Sequence, residues 1–200
     1  MEKKYGKLGL IGRWKPLHNG SFSLLETSCR LSDNVIIGIG SSNKNLSMRN
    51  PFSAKESEEM IMYSLHEHNN YNLIHIPDFK DGKKWAGHVY QCFGSLDGFV
   101  SGNPYVINLL HEYYNIMLPS QIIPEPCRHF VKSTFIKHRI AAMDSSWKDY
   151  VPKEVAEYLE SNDLIKRFRN LFGKQTIEYI NSNPSSLLFE NIESERRIIE

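Results

Sequence analysis

The sequence predicts an α/β fold with a doubly wound parallel sheet, followed by a C-terminal helical segment. Short apolar runs at residues 8–11, 34–40 and 72–76 have the length of buried strands, and segments with helical spacing separate them. Strands that alternate with helices pair in parallel through right-handed crossovers, and the helices cover both faces of the sheet. We therefore expect an α/β domain over residues 1–145 and a helical segment over residues 146–200 that packs on it.

The first apolar run leads into a loop that has the physical properties of an anion site. The run ends at Gly12, and apolar residues at helical spacing start again with Phe22, so a helix is expected to begin near Gly20 or Ser21. Glycine lets a ligand approach the backbone closely, and the free N–H groups and dipole of a helix N-terminus favour negative charge. The loop is therefore expected to bind phosphate.

Three side chains add positive or protonatable groups to this expected phosphate site: Arg13, Lys15 and His18. The loop lacks the Gly-Lys-Ser/Thr ending of nucleoside-triphosphatase loops and the three glycines of the dinucleotide fingerprint. It is therefore a different kind of phosphate loop, and the competing interpretation is an ordinary turn with a surface histidine.

The rest of the chain continues the alternation of strands and helices. Residues 41–52 leave the second strand at the edge where open α/β sheets bind ligands, and they include the cations Lys44 and Arg49. Ser53 and Glu56 have the spacing of a capping box, which predicts a helix start. Further helices are expected at about 85–93, after Pro104, at 134–143 and from Pro152 onward, with a fourth strand at 97–101 and a fifth within 113–118 and 122–123.

Composition indicates a soluble intracellular protein. With 200 residues and a formal net charge of +1, the chain has neither the strong positive field of many nucleic-acid-binding proteins nor an apolar stretch of membrane-spanning length. Three widely spaced cysteines indicate a reducing setting and neither a disulfide framework nor a zinc site. We expect a cytoplasmic location, no nucleic-acid or membrane partner, and a homo-oligomer, with residues 181–200 either frayed or used in association.

Five short motifs follow one another in order over about residues 7–170. The first is Gly-Arg-Trp-Lys-Pro-Leu-His-Asn-Gly at 12–20, which is similar to the signature of the nucleotidylyltransferase superfamily. The second is Ser-Met-Arg-Asn-Pro-Phe-Ser-Ala at 47–54. The others are Asp78 followed by Trp85 in a Trp-x-Gly-His context, Ser-Gly-Asn-Pro at 101–104, and Ser-Thr-Phe-Ile-Lys at 133–137. Together and in this order, the five motifs resemble those of archaeal-type nicotinamide-nucleotide adenylyltransferases.

The resemblance implies a Rossmann-like fold and an enzyme that transfers AMP from ATP to nicotinamide mononucleotide (NMN), giving NAD and pyrophosphate. It also implies Mg²⁺ as a bridge between phosphates, with no protein side chain expected as a metal ligand. Lys15 and His18 would face the ATP phosphates, and Asp78 and Trp85 would hold the nicotinamide end, Trp85 by stacking on the cationic ring. The other implied catalytic residues are Arg13 and Lys137, and the other implied nucleotide-binding residues are Gly12, Gly20, Ser21, Ser47, Arg49, Asn103, Ser133 and Thr134.

The chain departs from the family's pattern at four places. Ser21 stands where the family has a second histidine, Ser57 where an arginine follows the glutamate, Lys132-Ser133 where the family has Ser-Gly, and Lys137 where it has arginine. Serine is a good helix cap, but the loss of one donor to developing negative charge typically costs about 10²–10³ in rate. Three hypotheses remain open: an adenylyltransferase acting on NMN, a nucleotidyltransferase with a changed donor or acceptor, and a nucleotide-binding protein without turnover.

Several of these residues also have a purely structural interpretation. Trp85 could be a core or rim tryptophan, Asp78 could cap the turn after Pro77, Arg49 could be a surface charge, and Lys137 could lie on a solvated helix face.

Other polar residues are not expected to belong to the site. His66 and His68 lie two positions apart and do not share a helix face, so a metal pair is not expected. His88 is expected to be structural, and Arg167 and Arg169 are expected to be surface charges.

Overall fold

The computed structural model describes residues 3–187, and its centre is a five-stranded parallel sheet. The strand order is β3-β2-β1-β4-β5. The chain therefore builds the sheet outward from β1 to β3, then crosses back to continue on the other side of β1, which confirms the doubly wound prediction. A ligand site is expected at the C-terminal ends of the strands beside this reversal. The strands are β1 (Tyr5–Gly12), β2 (Ser32–Gly40), β3 (Tyr71–Ile76), β4 (Gly98–Val100) and β5 (Ile116–Met117).

The described residues form nine α-helices around this sheet. None of them is long and apolar enough to cross a membrane. Short 3₁₀ helices lie at Glu125–Cys127, Ser145–Tyr150 and Pro184–Leu187, and a π-helical turn at Arg169–Gly173. The α-helices are α1 (Asn19–Leu31), α2 (Ala54–Ser64), α3 (Gly82–Phe93), α4 (Pro104–Leu110), α5 (Pro119–Ile122), α6 (Ser133–Ala141), α7 (Lys153–Ser161), α8 (Leu164–Phe168) and α9 (Lys174–Ser182).

Local signals in the sequence place these elements well. The capping box that predicted the start of α2 is present: Ser53 Oγ accepts the Glu56 N–H at 3.1 Å, and Glu56 Oε2 accepts the Ser53 N–H at 2.7 Å. Helix α1 begins at Asn19, close to the predicted start. Pro152 lies just before α7 rather than inside its first turn, because its carbonyl already accepts the first helical N–H groups.

The prediction that residues 122–123 contribute to the fifth strand is wrong. β5 contains only Ile116 and Met117, and Ile122 is the last residue of the short helix α5. Pro119 opens that helix, where its fixed φ is favourable, and the side chain of Gln121 accepts the Leu118 N–H at 2.6 Å. The apolar pair at 122–123 is buried against the core from a helix end, which sequence alone does not distinguish from a strand.

The sheet separates two hydrophobic clusters. Helices α3 and α4 bury one face, and α1, α2 and the C-terminal helices bury the other. Trp147, Val155 and Phe168 belong to the same cluster as Leu8 and Ile37 of the central strands, so the segment after residue 145 shares a core with the sheet. The boundary at residue 145 stays a prediction about domain organisation, and residues 188–200 of the predicted tail lie outside the described part of the chain.

Candidate active site

Loops that follow four strands enclose a cavity of about 520 Å³ at the C-terminal edge of the sheet. It lies where the doubly wound topology predicts a ligand. Six residues predicted for the site line it: Gly12, Arg13, Arg49, Asp78, Trp85 and Asn103. Ser41, Lys44, Asn50, Phe79 and Tyr105 complete its polar and aromatic lining. Eight predicted residues do not line it: Lys15, His18, Gly20, Ser21, Ser47, Ser133, Thr134 and Lys137.

The loop after β2 fixes Asp78 at the cavity wall. Ser41 Oγ donates to Asp78 Oδ1 at 3.0 Å, and Asn43 exchanges two hydrogen bonds with the Asp78 backbone, at 2.8 and 3.1 Å. Ser41 has φ 51°, a left-handed conformation that non-glycine residues rarely adopt and that is often found at functional sites. Asp78 is therefore held by a distant loop and is not a local turn cap. Ser41 and Asn43 are positioning residues whose only signal in the sequence is the polar composition of the loop.

Trp85 forms part of the cavity wall and part of the core. It lies in the first turn of α3, whose N-cap Asp81 accepts the N–H groups of Lys83 and Lys84 at 2.8 and 3.2 Å. Its half-buried ring packs against the cluster under α3 and α4 and also faces the cavity beside Phe79. The rim interpretation and the ligand-binding interpretation of Trp85 are thus compatible.

His18 caps the N-terminus of α1. Its Nδ1 accepts the Ser21 N–H at 3.1 Å, and Ser21 Oγ lies 3.0 Å from its Nε2. Because Nδ1 accepts a backbone hydrogen bond, the proton of the neutral ring is on Nε2. Burial lowers the pKa of His18 to about 4, so the ring is neutral at physiological pH. Among the positive or protonatable groups expected in this loop, His18 is therefore a neutral one that donates a hydrogen bond through Nε2–H.

Two buried lysines extend this region, and both ammonium groups bond to the loop after β2. Lys15 Nζ donates to the carbonyls of Ser41 and Lys44 at 3.2 and 3.0 Å, and Lys137 Nζ donates to the Met48 carbonyl at 3.1 Å. Burial, followed by the charge of Arg13, lowers the pKa of each lysine to about 8. Lys137 is only 9% exposed, so the solvated-face interpretation of Lys137 is wrong.

The family resemblance implies that these lysines face the phosphates of ATP, and on that basis ATP should bind more weakly as the pH rises from about 7 to about 9. A lysine with a pKa of about 8 falls from about 90% to about 10% protonated over this range, which is about a tenfold loss of affinity for each ammonium that phosphate requires. Calorimetric titrations of the unsubstituted chain and of Lys15→Arg check this. Arginine stays charged, so the affinity of the variant should fall about tenfold less than that of the unsubstituted chain over the same range. Identical slopes would show that Lys15 does not contact the phosphates.

The remaining predicted residues lie where α1 and α6 begin. Ser133 Oγ donates to the Pro16 carbonyl at 3.4 Å, which joins the start of α6 to the loop after β1, and Thr134 follows in the first turn of α6. A side chain at Gly20 would come within 2.3 Å of the His129 carbonyl, so this position requires glycine for close packing. Ser47 instead shapes its own loop, because its Oγ accepts the Asn50 N–H at 3.1 Å.

The prediction that Arg167 and Arg169 are surface charges is wrong. Arg167 forms a two-pronged ion pair with Glu56, at 2.6 and 2.8 Å, and Arg169 Nε donates to the Ile140 carbonyl at 2.8 Å. Both partners lie far away in sequence, so helical periodicity in the C-terminal segment gives no sign of them.

The fold and the site define an α/β protein with a cationic ligand site at the reversal of a parallel sheet. The sheet order, the cavity at its reversal, and the cationic loop beside a helix N-terminus suit a ligand that carries phosphate. The chain belongs to the family of nicotinamide-nucleotide adenylyltransferases, as comparison with known proteins shows.

Three archaeal relatives carry that family name. The protein of Thermococcus sibiricus is 31% identical over 166 residues, which cover 80% of this chain and 87% of the relative. The protein of Pyrococcus horikoshii is 32% identical over 165 residues, covering 80% and 86%. The protein of Methanococcus aeolicus is 34% identical over 164 residues, covering 81% and 92%. No protein-family model matches the chain.

A solved structure supports the fold. The bifunctional NMN adenylyltransferase/ADP ribose pyrophosphatase of Francisella tularensis, complexed with AMP and a manganese ion, superposes with a TM-score of 0.64 at 19% identity. The match covers 90% of this chain and 53% of that protein, so this chain corresponds to about half of the bifunctional enzyme. At this identity the likeness establishes a shared fold.

Proposed function

We propose that the protein transfers the adenylyl group of ATP to nicotinamide mononucleotide, giving NAD and pyrophosphate. The observation that carries this proposal is one cavity in which the cations Arg13 and Arg49 lie together with Asp78 and Trp85. NMN carries a phosphate and a cationic pyridinium ring, and these two sets of residues are complementary to the two ends. The family membership of the chain supports the same activity.

The reaction needs positioning and charge stabilisation and no covalent enzyme intermediate. A phosphate oxygen of NMN attacks the α-phosphorus of ATP, a new phosphorus–oxygen bond forms, and the bond to the β-phosphate oxygen breaks, so that pyrophosphate leaves with the electron pair. Negative charge develops around the α-phosphorus, and preorganised donors lower the barrier most effectively there. The Nε2–H of His18, the N-terminus of α1, and the ammonium groups of Lys15 and Lys137 are the proposed donors.

The two lysines would have to exchange partners when ATP binds. Their ammonium groups bond to carbonyls of the loop after β2, and phosphate oxygens are stronger acceptors than carbonyls because the hydrogen bond is then charge-assisted on both sides. Arg13 lies close enough to both to lower their pKa values, so a bound triphosphate would relieve mutual repulsion within this cluster.

A divalent metal, Mg²⁺, is proposed to arrive with the nucleotide. Among the described lining residues Asp78 is the single carboxylate, and one of its oxygens already accepts from Ser41. No group of three acidic, histidine or cysteine side chains within residues 3–187 is arranged to hold a metal ion. This donor set fits Mg²⁺, which prefers phosphate oxygens and water and needs few protein ligands. When bound, the metal neutralises charge on the triphosphate.

A nucleotide-binding protein without turnover is the second candidate function. The observation that favours it is the hydroxyl of Ser21 beside His18, where the family resemblance places a second imidazole. A changed donor or acceptor is less well supported, because Asp78 and Trp85 lie together in the cavity.

A Trp85→Ala variant tests the acceptor. If Trp85 stacks on the cationic ring, the variant should bind NMN more weakly by about 0.5–2 kcal/mol and bind ATP as before, measured by calorimetry. Trp85→Phe retains an aromatic face and should lose less. An equal loss for both nucleotides would show that Trp85 acts through packing, and the assignment of the nicotinamide end would then be wrong.

A further inference from the structure

The C-terminal helix α8 reaches back to the loop that forms one wall of the cavity. Arg167 Nη2 donates to the Pro51 carbonyl at 3.1 Å, and its guanidinium pairs with both carboxylate oxygens of Glu56 at 2.6 and 2.8 Å. Such two-pronged guanidinium–carboxylate pairs fix orientation as well as distance. The contact joins segments that are 111 residues apart, so it holds α8 against the entry to α2.

Glu56 connects this ion pair to the backbone of the loop. Its Oε2 also accepts the Ser53 N–H at 2.7 Å as part of the capping box. Next to Arg167, Phe168 is 1% exposed and its ring lies 6.4 Å from that of the fully buried Phe52. Two neighbouring residues of α8 therefore hold the segment 51–56. Arg167 makes the polar contact and Phe168 makes the apolar contact.

The residues immediately before the segment 51–56 line the cavity. Arg49 and Asn50 both line it, and Asn50 is 6% exposed. Asn50 Oδ1 is buried and has no hydrogen-bond partner within the described residues. A buried amide without a partner is costly, so a residue of this kind in a cavity wall indicates that a ligand completes its hydrogen bonds.

We propose that Arg167 is a positioning residue for the acceptor nucleotide. By holding the Pro51 carbonyl and Glu56, it keeps Arg49 and Asn50 against the cavity, where Arg49 contacts the phosphate of the acceptor and Asn50 Oδ1 accepts a hydrogen bond from one of its hydroxyl or amide groups. This inference rests on the proposed function, because it takes the cavity as the acceptor site. We call these contacts of Arg167 the brace. The lysines proposed to hold ATP, Lys15 and Lys137, bond to the same loop only before Arg49, at the carbonyls of Ser41, Lys44 and Met48, whereas the brace acts after it, at Pro51 and Glu56. We therefore expect the loss of the brace to affect the acceptor more than ATP.

Three variants test the brace: Arg167→Ala, Arg167→Lys, and Arg169→Ala as the matched control. Arg169 lies on the same segment and also anchors it through a carbonyl, but its partner is Ile140 of α6. From initial rates of NAD formation, Arg167→Ala should raise the KM for NMN at least tenfold while changing the KM for ATP less than twofold. Arg167→Lys retains the charge without the two-pronged geometry and should raise the KM for NMN about threefold. Arg169→Ala should leave both KM values within twofold.

Hydrogen exchange gives a second readout that does not depend on catalysis. The backbone amides of residues 47–50, 52 and 53 should exchange at least tenfold faster in Arg167→Ala than in the unsubstituted chain. In Arg169→Ala they should exchange at an unchanged rate. If Arg167→Ala does not fold, Arg167→Lys decides by the same comparisons.

Three results would overturn the inference. The first is an equal change of the KM values for NMN and ATP, and the second is an equal effect of Arg167→Ala and Arg169→Ala. The third is unaltered hydrogen exchange at residues 47–53. If the unsubstituted chain makes no NAD, the proposed function fails, and the exchange comparison alone then supports or overturns the brace.

Discussion

A Ser21→His variant is expected to form NAD faster than the unsubstituted chain by about ten- to a thousand-fold. Ser21 follows Gly20 at the start of α1, and its N–H already donates to His18, so the backbone arrangement is independent of the side chain at this position. An imidazole at 21 would add a second donor beside His18 Nε2, close to the proposed α-phosphate position. Each tenfold gain corresponds to about 1.4 kcal/mol of transition-state stabilisation.

The measurement is kcat for NAD formation, with ATP affinity determined separately by calorimetry. ATP affinity should change much less than kcat, because the added donor matters most where charge develops. A folded, ATP-binding Ser21→His protein with an unchanged rate would contradict this expectation. Ser57, Lys137 or a different substrate would then explain a slow enzyme better than Ser21.

A His18→Ala variant is expected to lose both stability and rate. The imidazole caps α1 through Nδ1, and loss of an N-cap typically costs about 0.5–2 kcal/mol of unfolding free energy. The same substitution removes the proposed Nε2–H donor, which should lower the rate by about 10²–10³.

His18→Asn separates the two roles. Asparagine is a good N-cap, so its melting temperature should stay close to that of the unsubstituted chain, while its rate should fall as far as that of His18→Ala. Thermal melts and initial rates of both variants decide the matter. A rate that recovers in His18→Asn along with stability would show that His18 acts only as a cap.

Local chemistry made much of the fold predictable from the sequence. Short apolar runs identified β1, β2 and β4, because a buried parallel strand has no polar face. β3 is an edge strand with exposed Asn72 and His75, and the apolar residues Leu73, Ile74 and Ile76 still identified it. The capping box at Ser53 and Glu56 identified the start of α2 because both hydrogen bonds join residues three positions apart. β5 was harder to place, since a two-residue strand and a short buried helix have similar apolar patterns.

The parts of the site that could not be predicted depend on contacts between distant segments. Nothing near Asp78 in the sequence indicates that Ser41 and Asn43 hold it, because the pairing arises only when β2 and β3 lie side by side. Arg167 looked like a solvated charge for the same reason. The homo-oligomer and the role of residues 181–200 stay predictions.

The protonation states of the basic groups depend on burial, which composition does not reveal. His18 and Lys15 are both basic in the sequence, but burial makes the first neutral and lowers the pKa of the second to about 8. The loop after β1 therefore has fewer permanent positive charges than its composition suggests. In the cavity, Arg13 and Arg49 are the residues that keep their positive charge over the widest pH range.

One assay tests the central claim most directly. Purified protein is incubated with ATP, Mg²⁺ and NMN, and NAD and pyrophosphate are measured in parallel, with His18→Ala as the matched control. We predict that both products form in equal amounts, and that the control forms both more slowly by about 10²–10³. A folded, ATP-binding protein that forms no NAD and releases no pyrophosphate with NMN would contradict the proposed function. Formation of NAD at the same rate by His18→Ala would contradict the role of His18.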